Sequence, residues 1–249
     1  MTQPFFSDVE AKNFQAALRE ERNNARENGI DVPEYFNVDL PLVTVAGRMP
    51  TSIIFDPANG HIPFVARDQE RGSDPDRLNG PEDLWLRERC IRSDQGPPMF
   101  PIYGEQFVQI LQTDEHVVFL QEANHEARIV SLGPAHSHLS ARVELWLGDG
   151  RGRWEGDALV VDTTNFRSQL QHENPQNRFD QHLHTIERFT LLTEDTLWYR
   201  FTVIDPTRFR TPFSGEFPLH KTSKRIFEDA CHEGNYSLPN VLNGNRAQP

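Results

Sequence analysis

The sequence predicts a mainly β fold: an antiparallel meander curled into a barrel or half-barrel, behind an N-terminal helix and an extended wrap. Two observations carry this. From Gln106 onward, nine strand-length runs rich in β-branched and aromatic residues follow at short intervals with turn residues between them: "QFVQILQT", "HVVFLQEA", "EARIVSLG", "ARVELWLG", "DALVVDTT", "HLHTIERFTLL", "TLWYRFTVID", "FSGEFPLH" and "KRIFEDA". Apolar residues make up only 37% of the chain, yet 17 Phe and 4 Trp make them unusually aromatic, which suits strands and ligand pockets better than helix bundles. Closure or near-closure follows because open edges would invite aggregation.

The elements follow in order. The 249 residues read as a single domain, 1–249, with helix and wrap over 1–105 and a lipocalin-like β-barrel core over 106–240. "DVEAKNFQAALREERNNAREN", residues 8–28, is the best helix: Phe14, Ala17 and Leu18 alternate with charges, and Gly29 ends it. Between Val32 and Pro101, prolines and glycines interrupt every candidate element, with "DPANGHIPF" and "DQGPPMFP" as the clearest breaks. This region reads as an extended wrap with short strands and one short helix around Glu82 to Cys90. The tail "NGNRAQP" reads as frayed.

Within the core, "WLGDGRGRWEGDALVVDTTNF" raises the question of a phosphate loop. A phosphate loop needs a helix whose N-terminus faces the phosphate, whereas Ala158 to Asp162 read as a strand and no Lys-Ser/Thr follows. Calcium-loop spacing is absent too. Gly148 to Gly152 therefore reads as a solvent-facing hairpin turn without a ligand role, with Trp154 beginning the return strand.

Composition narrows the partners. A formal charge of −12 leaves no basic patch for nucleic acid or an anionic membrane. No apolar run approaches a membrane span. Cys90 and Cys231 are the only cysteines, which excludes a four-cysteine zinc site and leaves one bridge open. "MTQPFFSDVEAKNF" lacks the blocks of a secretory leader. A cytoplasmic location is expected, or a periplasmic one if a leader was removed.

Several of these segments also form a set. "GRWEGDALVVDTTNF", "LHTIERFTLLTEDTLWYRFTVIDPTRFRTPF" and "ACHEGNY" resemble a widespread bacterial β-rich family whose members pair a "WEGDxLVVDTxxF" hairpin with an "ERF" strand and a "DPxxxTxPW" segment. "TSIIFDPANGHIPF" and the Arg89-Cys90 pair fit as well, so the likeness spans roughly residues 50–240. It implies a shared architecture and a small-molecule role, without a named reaction; many members carry export signals. This chain departs from the pattern by carrying Phe213 where Trp is common and by lacking a leader.

Ten histidines are many for an acidic chain, and they cluster. Parity along "QHLHTIERF" puts His182, His184, Ile186 and Arg188 on one strand face and Leu183, Glu187 and Phe189 on the other. With the Leu/Phe face packed under the wrap, the His/Arg face would line a lumen suited to acid–base chemistry. His184 is the leading catalytic candidate. Arg128 is the candidate clamp for an enolate or carboxylate oxygen, its bland alternative being an ion pair with Glu122 or Glu126. His125 and His232 are catalytic candidates at the rim, and His182, Arg188, Glu122 and Trp198 are candidate substrate-binding residues. Cys231 reads as a buried thiol or as half of a bridge to Cys90, because neighbouring strand residues point to opposite faces and separate it from His232. Asp157, Asp162 and Asp205, acids of the family motifs, read as structural.

The function expected is that of a cofactor-independent lyase or isomerase (a dehydratase, isomerase or cyclase) acting on a hydrophobic or aromatic small molecule in a barrel cavity. No phosphate fingerprint calls for a nicotinamide, flavin or nucleotide, and no metal is assigned. A homo-oligomer is compatible with this reading. Two alternatives remain open. One is a metal-dependent enzyme drawing on His125, His136, His138, His182, His184 and His232, since His-x-His pairs share a strand face. The other is a non-catalytic, lipocalin-like binding protein. Metal analysis separates the first, and retained binding without turnover the second.

Overall fold

The computed structural model describes residues 5–28, 44, 47–65, 80–81, 84, 86–93, 96–100, 107–133, 137–167 and 181–246. At the N-terminus, β1 (Phe5–Phe6) pairs antiparallel with β2 (Met49–Pro50) and leads into α1 (Asp8–Glu27). A capping box starts that helix: Ser7 Oγ accepts from the Glu10 amide at 3.3 Å, and Glu10 Oε2 accepts from the Ser7 amide at 2.8 Å. Phe6 stacks on Phe14 at 5.3 Å and fixes the angle of entry.

Nine strands form one sheet: β3 (Ile54–Asp56), β4 (Val108–Gln112), β5 (His116–Gln121), β6 (Ala127–Leu132), β7 (Asp149–Glu155), β8 (Ala158–Thr164), β9 (His184–Thr193), β10 (Thr196–Ile204) and β11 (Phe213–His220). Their spatial order is β3-β11-β10-β9-β8-β7-β6-β5-β4. Neighbours run antiparallel except β6 and β7, which meet in a short parallel contact at Ser131–Arg151 and Leu132–Gly152. The fold is thus mainly β, as the run of strands predicts, but the sheet does not close into a barrel: β3 and β4 are its two ends. A second helix, α2 (Ser237–Arg246), follows with Leu242 buried, so "NGNR" of the expected frayed tail is helical. Among the described residues, no helix is long and apolar enough to cross a membrane.

Three expectations about elements need correction. Gly148 to Gly152 is not a turn, because Asp149–Glu155 is strand β7 and the hairpin turns at Gly156-Asp157, where Gly156 adopts φ 61°. Gly152 serves close packing instead, since a Cβ there would lie 2.7 Å from Leu132 Cδ2. "ARVELWLG" is a loop with no strand of its own, making an isolated Leu145–Phe166 bridge and packing Gly148 against Thr163 and Thr164 of β8. Asn165 Nδ2 donates to the Leu139 carbonyl at 2.9 Å and the Ser140 carbonyl at 3.2 Å, which turns the start of that loop aside. "KRIFEDA" is irregular and is pinned to the turn at 122–125: the Phe227 amide donates to Glu122 Oε1 and the Asn124 amide to Asp229 Oδ2. Of the helix expected near Glu82 to Cys90, residues 86–90 form turns, while Glu82, Asp83 and Trp85 lie outside the described residues.

One face of the sheet carries the core. A row of Leu159, Phe189, Tyr199 and Phe217 crosses β8 to β11, with ring centroids 5.0 Å apart for Phe189–Tyr199 and 5.2 Å for Tyr199–Phe217. Met99, Phe100 and Phe64 from the wrap pack against it. The wrap is anchored by the Met99 amide donating to the Tyr199 hydroxyl at 2.9 Å. A disulfide between Cys90 and Cys231, with Cα atoms 5.6 Å apart, ties the C-terminal segment to the wrap and excludes Cys231 as a thiolate nucleophile.

Candidate functional site

Strand parity divides β9 between two environments. Thr185, Glu187 and Phe189 enter the core, whereas His184, Ile186 and Arg188 lie half-buried on the opposite, outer face. The chemistry-bearing face is therefore the outer face of an open sheet and not a lumen.

On that face four side chains from four segments form a continuous hydrogen-bonded line. His184, first residue of β9, places Nε2 2.9 Å from Asp162 Oδ2 on β8. The other oxygen, Oδ1, lies 2.8 Å from Nε2 of His138, which belongs to the loop before β7. His138 Nδ1 in turn faces Asp149 Oδ2 at 3.2 Å at the start of β7. Asp149 also accepts from the Leu139 amide at 2.7 Å and pairs with Arg151 at 2.9 Å. Arg151 stands directly across the ladder from Asp162. Both ring nitrogens of His138 thus face carboxylate oxygens, and the doubly protonated ring is the form that donates to both. His184 differs: only Nε2 is engaged, and Nδ1 has no partner among the described residues.

Asp162 has its carboxyl held below the usual aspartate range, first by the hydrogen bond from His184 and with a smaller one from His138, against the opposing effect of burial. A lowered folded-state pKa stabilises the fold above the ordinary aspartate value, near pH 3.9, and that contribution is lost as pH falls through the lowered value. Asp162→Asn should therefore flatten the acid limb of the stability curve below about pH 4. Urea midpoints measured at successive acidic pH values check this; parallel curves for variant and parent would contradict it.

The other sequence-derived candidates stand apart. Arg128 is buried in the core at 4% exposure, and Nη1 donates to Glu187 Oε1 at 3.1 Å, Nη2 to Glu187 Oε2, and Nη2 to Thr163 Oγ1 at 2.9 Å. Its partner is Glu187 and neither Glu122 nor Glu126. The Tyr199 hydroxyl donates to the same Glu187 at 2.8 Å; burial, and then the Glu187 carboxylate, push that phenol well above its ordinary range, so it remains a donor. His125 is exposed on the 3-10 turn Ala123–His125, and His232 is exposed in the turn after Cys231. His182 is exposed before β9, with its Nε2 3.4 Å from Gln181 Nε2. Arg188 is paired with Glu155 at 2.7 Å, Glu122 holds the Phe227 amide, and Trp198 is half-buried on β10. His136 lies outside the described residues.

Of the candidates, then, only His184 belongs to the line; the sequence reads Asp162 as structural, passes over Asp149 and Arg151, and offers His138 among the histidines of the metal alternative. Asp205, by contrast, caps a turn, with Oδ1 accepting from the Thr207 amide at 2.9 Å. Asp162 had one usable signal: it shares a strand face with Ala158 and Val160 on a hairpin next in line to β9. Register alone brings it to His184. Among the described residues no group of three or more His, Cys, Asp and Glu side chains is placed to hold a metal ion. No family model, curated protein or solved structure matches this chain.

Proposed function

We propose that the chain is a cofactor-independent enzyme of the lyase or isomerase type, acting by acid–base chemistry on a hydrophobic or aromatic small molecule, with His184 as the proton carrier. One observation carries the reading: Asp162 holds Nε2 of His184, and Nδ1 has no partner among the described residues on a ring that is one-third exposed. A carboxylate behind an imidazole fixes the ring and its tautomer and stabilises the imidazolium that forms when Nδ1 takes a substrate proton. The same proton then returns to a leaving hydroxyl or to a neighbouring carbon, which balances an elimination or an isomerisation. Arg151, not the buried Arg128, takes the anion-stabilising role, because it lies in register with Asp162 and outside the core. Leu139, Val143 and Leu145, exposed on the loop that carries His138, supply an apolar contact for the substrate. On this reading the ligand lies against the outer face of the open sheet.

The test is solvent-deuteron incorporation into a panel of aromatic and aliphatic hydroxy and carbonyl compounds. His184→Gln keeps a donor near the position of Nε2, toward Asp162, but removes the base, and should slow exchange by about a hundredfold or more. Rates within a few-fold of the parent would sink the proposal. Compounds bound without turnover by both proteins would favour the binding-protein alternative, and activity dependent on an added divalent metal would favour the metal one.

A further inference from the structure

We infer that β4 is the contact strand of a homodimer in which two copies of the chain join their sheets edge to edge. The two ends of the sheet are built differently. β3 is three residues long, and its pairing with β11 shifts register between Ser214 and Gly215, features that blunt an edge. β4, "VQILQ", has neither protection: its pairing with β5 runs without a bulge, and it carries no charge and no proline. Ile110 is 40% exposed and Leu111 46%, and Leu111 continues across Val118 to Ile129, 62% exposed, on the outer face.

The hydrogen-bond alternation fixes how a second copy would pair. The Thr113 amide donates to the His116 carbonyl and the Glu122 amide to the Phe107 carbonyl, so the odd-numbered residues of β4 direct their backbone groups toward β5. Val108, Ile110 and Gln112 therefore direct theirs away from the sheet, and no described residue meets them. An antiparallel partner must match these three with three of its own. A second β4 does so around a two-fold axis through Ile110, with Val108 opposite Gln112 of the other copy and Ile110 opposite Ile110.

Charge selects the same arrangement. It sets Thr113 of one copy opposite Phe107 of the other, whose ring lies 5.6 Å from Lys224 Nζ. Asp114 and Glu115, both exposed, follow Thr113 and are carried toward that ammonium, twice by symmetry. In a chain of formal charge −12, such local attraction is what overcomes general repulsion between copies.

Light scattering on the full chain at rising concentration, combined with amide exchange, tests this. The expected result is a dimer whose Val108, Ile110 and Gln112 amides are protected at high concentration and exchange rapidly on dilution, while Gln109 and Leu111 stay protected throughout. Ile110→Lys places two ammonium groups at the two-fold axis and should weaken the dimer at least about a hundredfold. Lys224→Glu should weaken it by about tenfold, and adding Asp114→Lys with Glu115→Lys should restore it. A monomer at every concentration, a dimer unaffected by Ile110→Lys, or exchange at those three amides that ignores concentration would each overturn the inference. Should Ile110→Lys fail to fold, the exchange pattern of the parent decides alone.

Discussion

Arg128→Ala should destabilise the fold by about 3–5 kcal/mol, and Glu187→Ala by a similar amount, because each leaves the other charge buried and unpaired. Glu187 is fully buried, and three donors converge on it: two guanidinium nitrogens and the Tyr199 hydroxyl. The cost comes less from the pair's own attraction than from the desolvated partner that remains, so removing both should cost less than the two singles together. Arg128→Met with Glu187→Leu is the informative double variant, since comparable apolar volume replaces the pair and only the Tyr199 and Thr163 hydroxyls lose partners. Urea unfolding of the three variants gives the answer. A single-variant loss under about 1 kcal/mol would mean that water reaches the pair and that Arg128 is not committed to the core.

Removing the disulfide is the other large effect. Cys90 and Cys231 are 141 residues apart, and closing a loop of that size constrains the unfolded chain by up to about 5 kcal/mol in the chain-entropy account. Cys90→Ser with Cys231→Ser should lower the urea midpoint accordingly. It should also speed amide exchange at Asn124 and Phe227 before the sheet opens, because their bonds to Asp229 and Glu122 hold the same C-terminal segment. Equal midpoints with and without the bridge would show that the reduced unfolded chain retains the contact.

How much of this was legible beforehand depends on the residue. Alternation along "HLHTIERF" separates His184 from Glu187, and the structure keeps them on separate faces. Alternation does not say which face is the core, and a face with Glu187 opposite Phe201 and in reach of Arg128 looks no more apolar than one with Ile186. Only the pairing of two buried charges across strands far apart in sequence resolves it. Gly150 and Gly152 hid β7, since glycine signals a turn unless a neighbour's bulk demands its absence of side chain, and that bulk, Leu132 and Val130, comes from another strand. Asp162 and His184 are 22 residues apart and meet diagonally across a ladder, a contact fixed by register and by nothing in either local pattern.

The most direct test of the site is the ring tautomer of His184, read from long-range proton–nitrogen correlations in nitrogen-15-labelled protein where the neutral ring predominates. Asp162 should hold the proton on Nε2 and leave Nδ1 bare, and Asp162→Asn should relax that preference. A proton on Nδ1 with Nε2 bare in the parent protein would mean that the carboxylate does not hold the ring, and that the atom assigned to proton transfer is the wrong one.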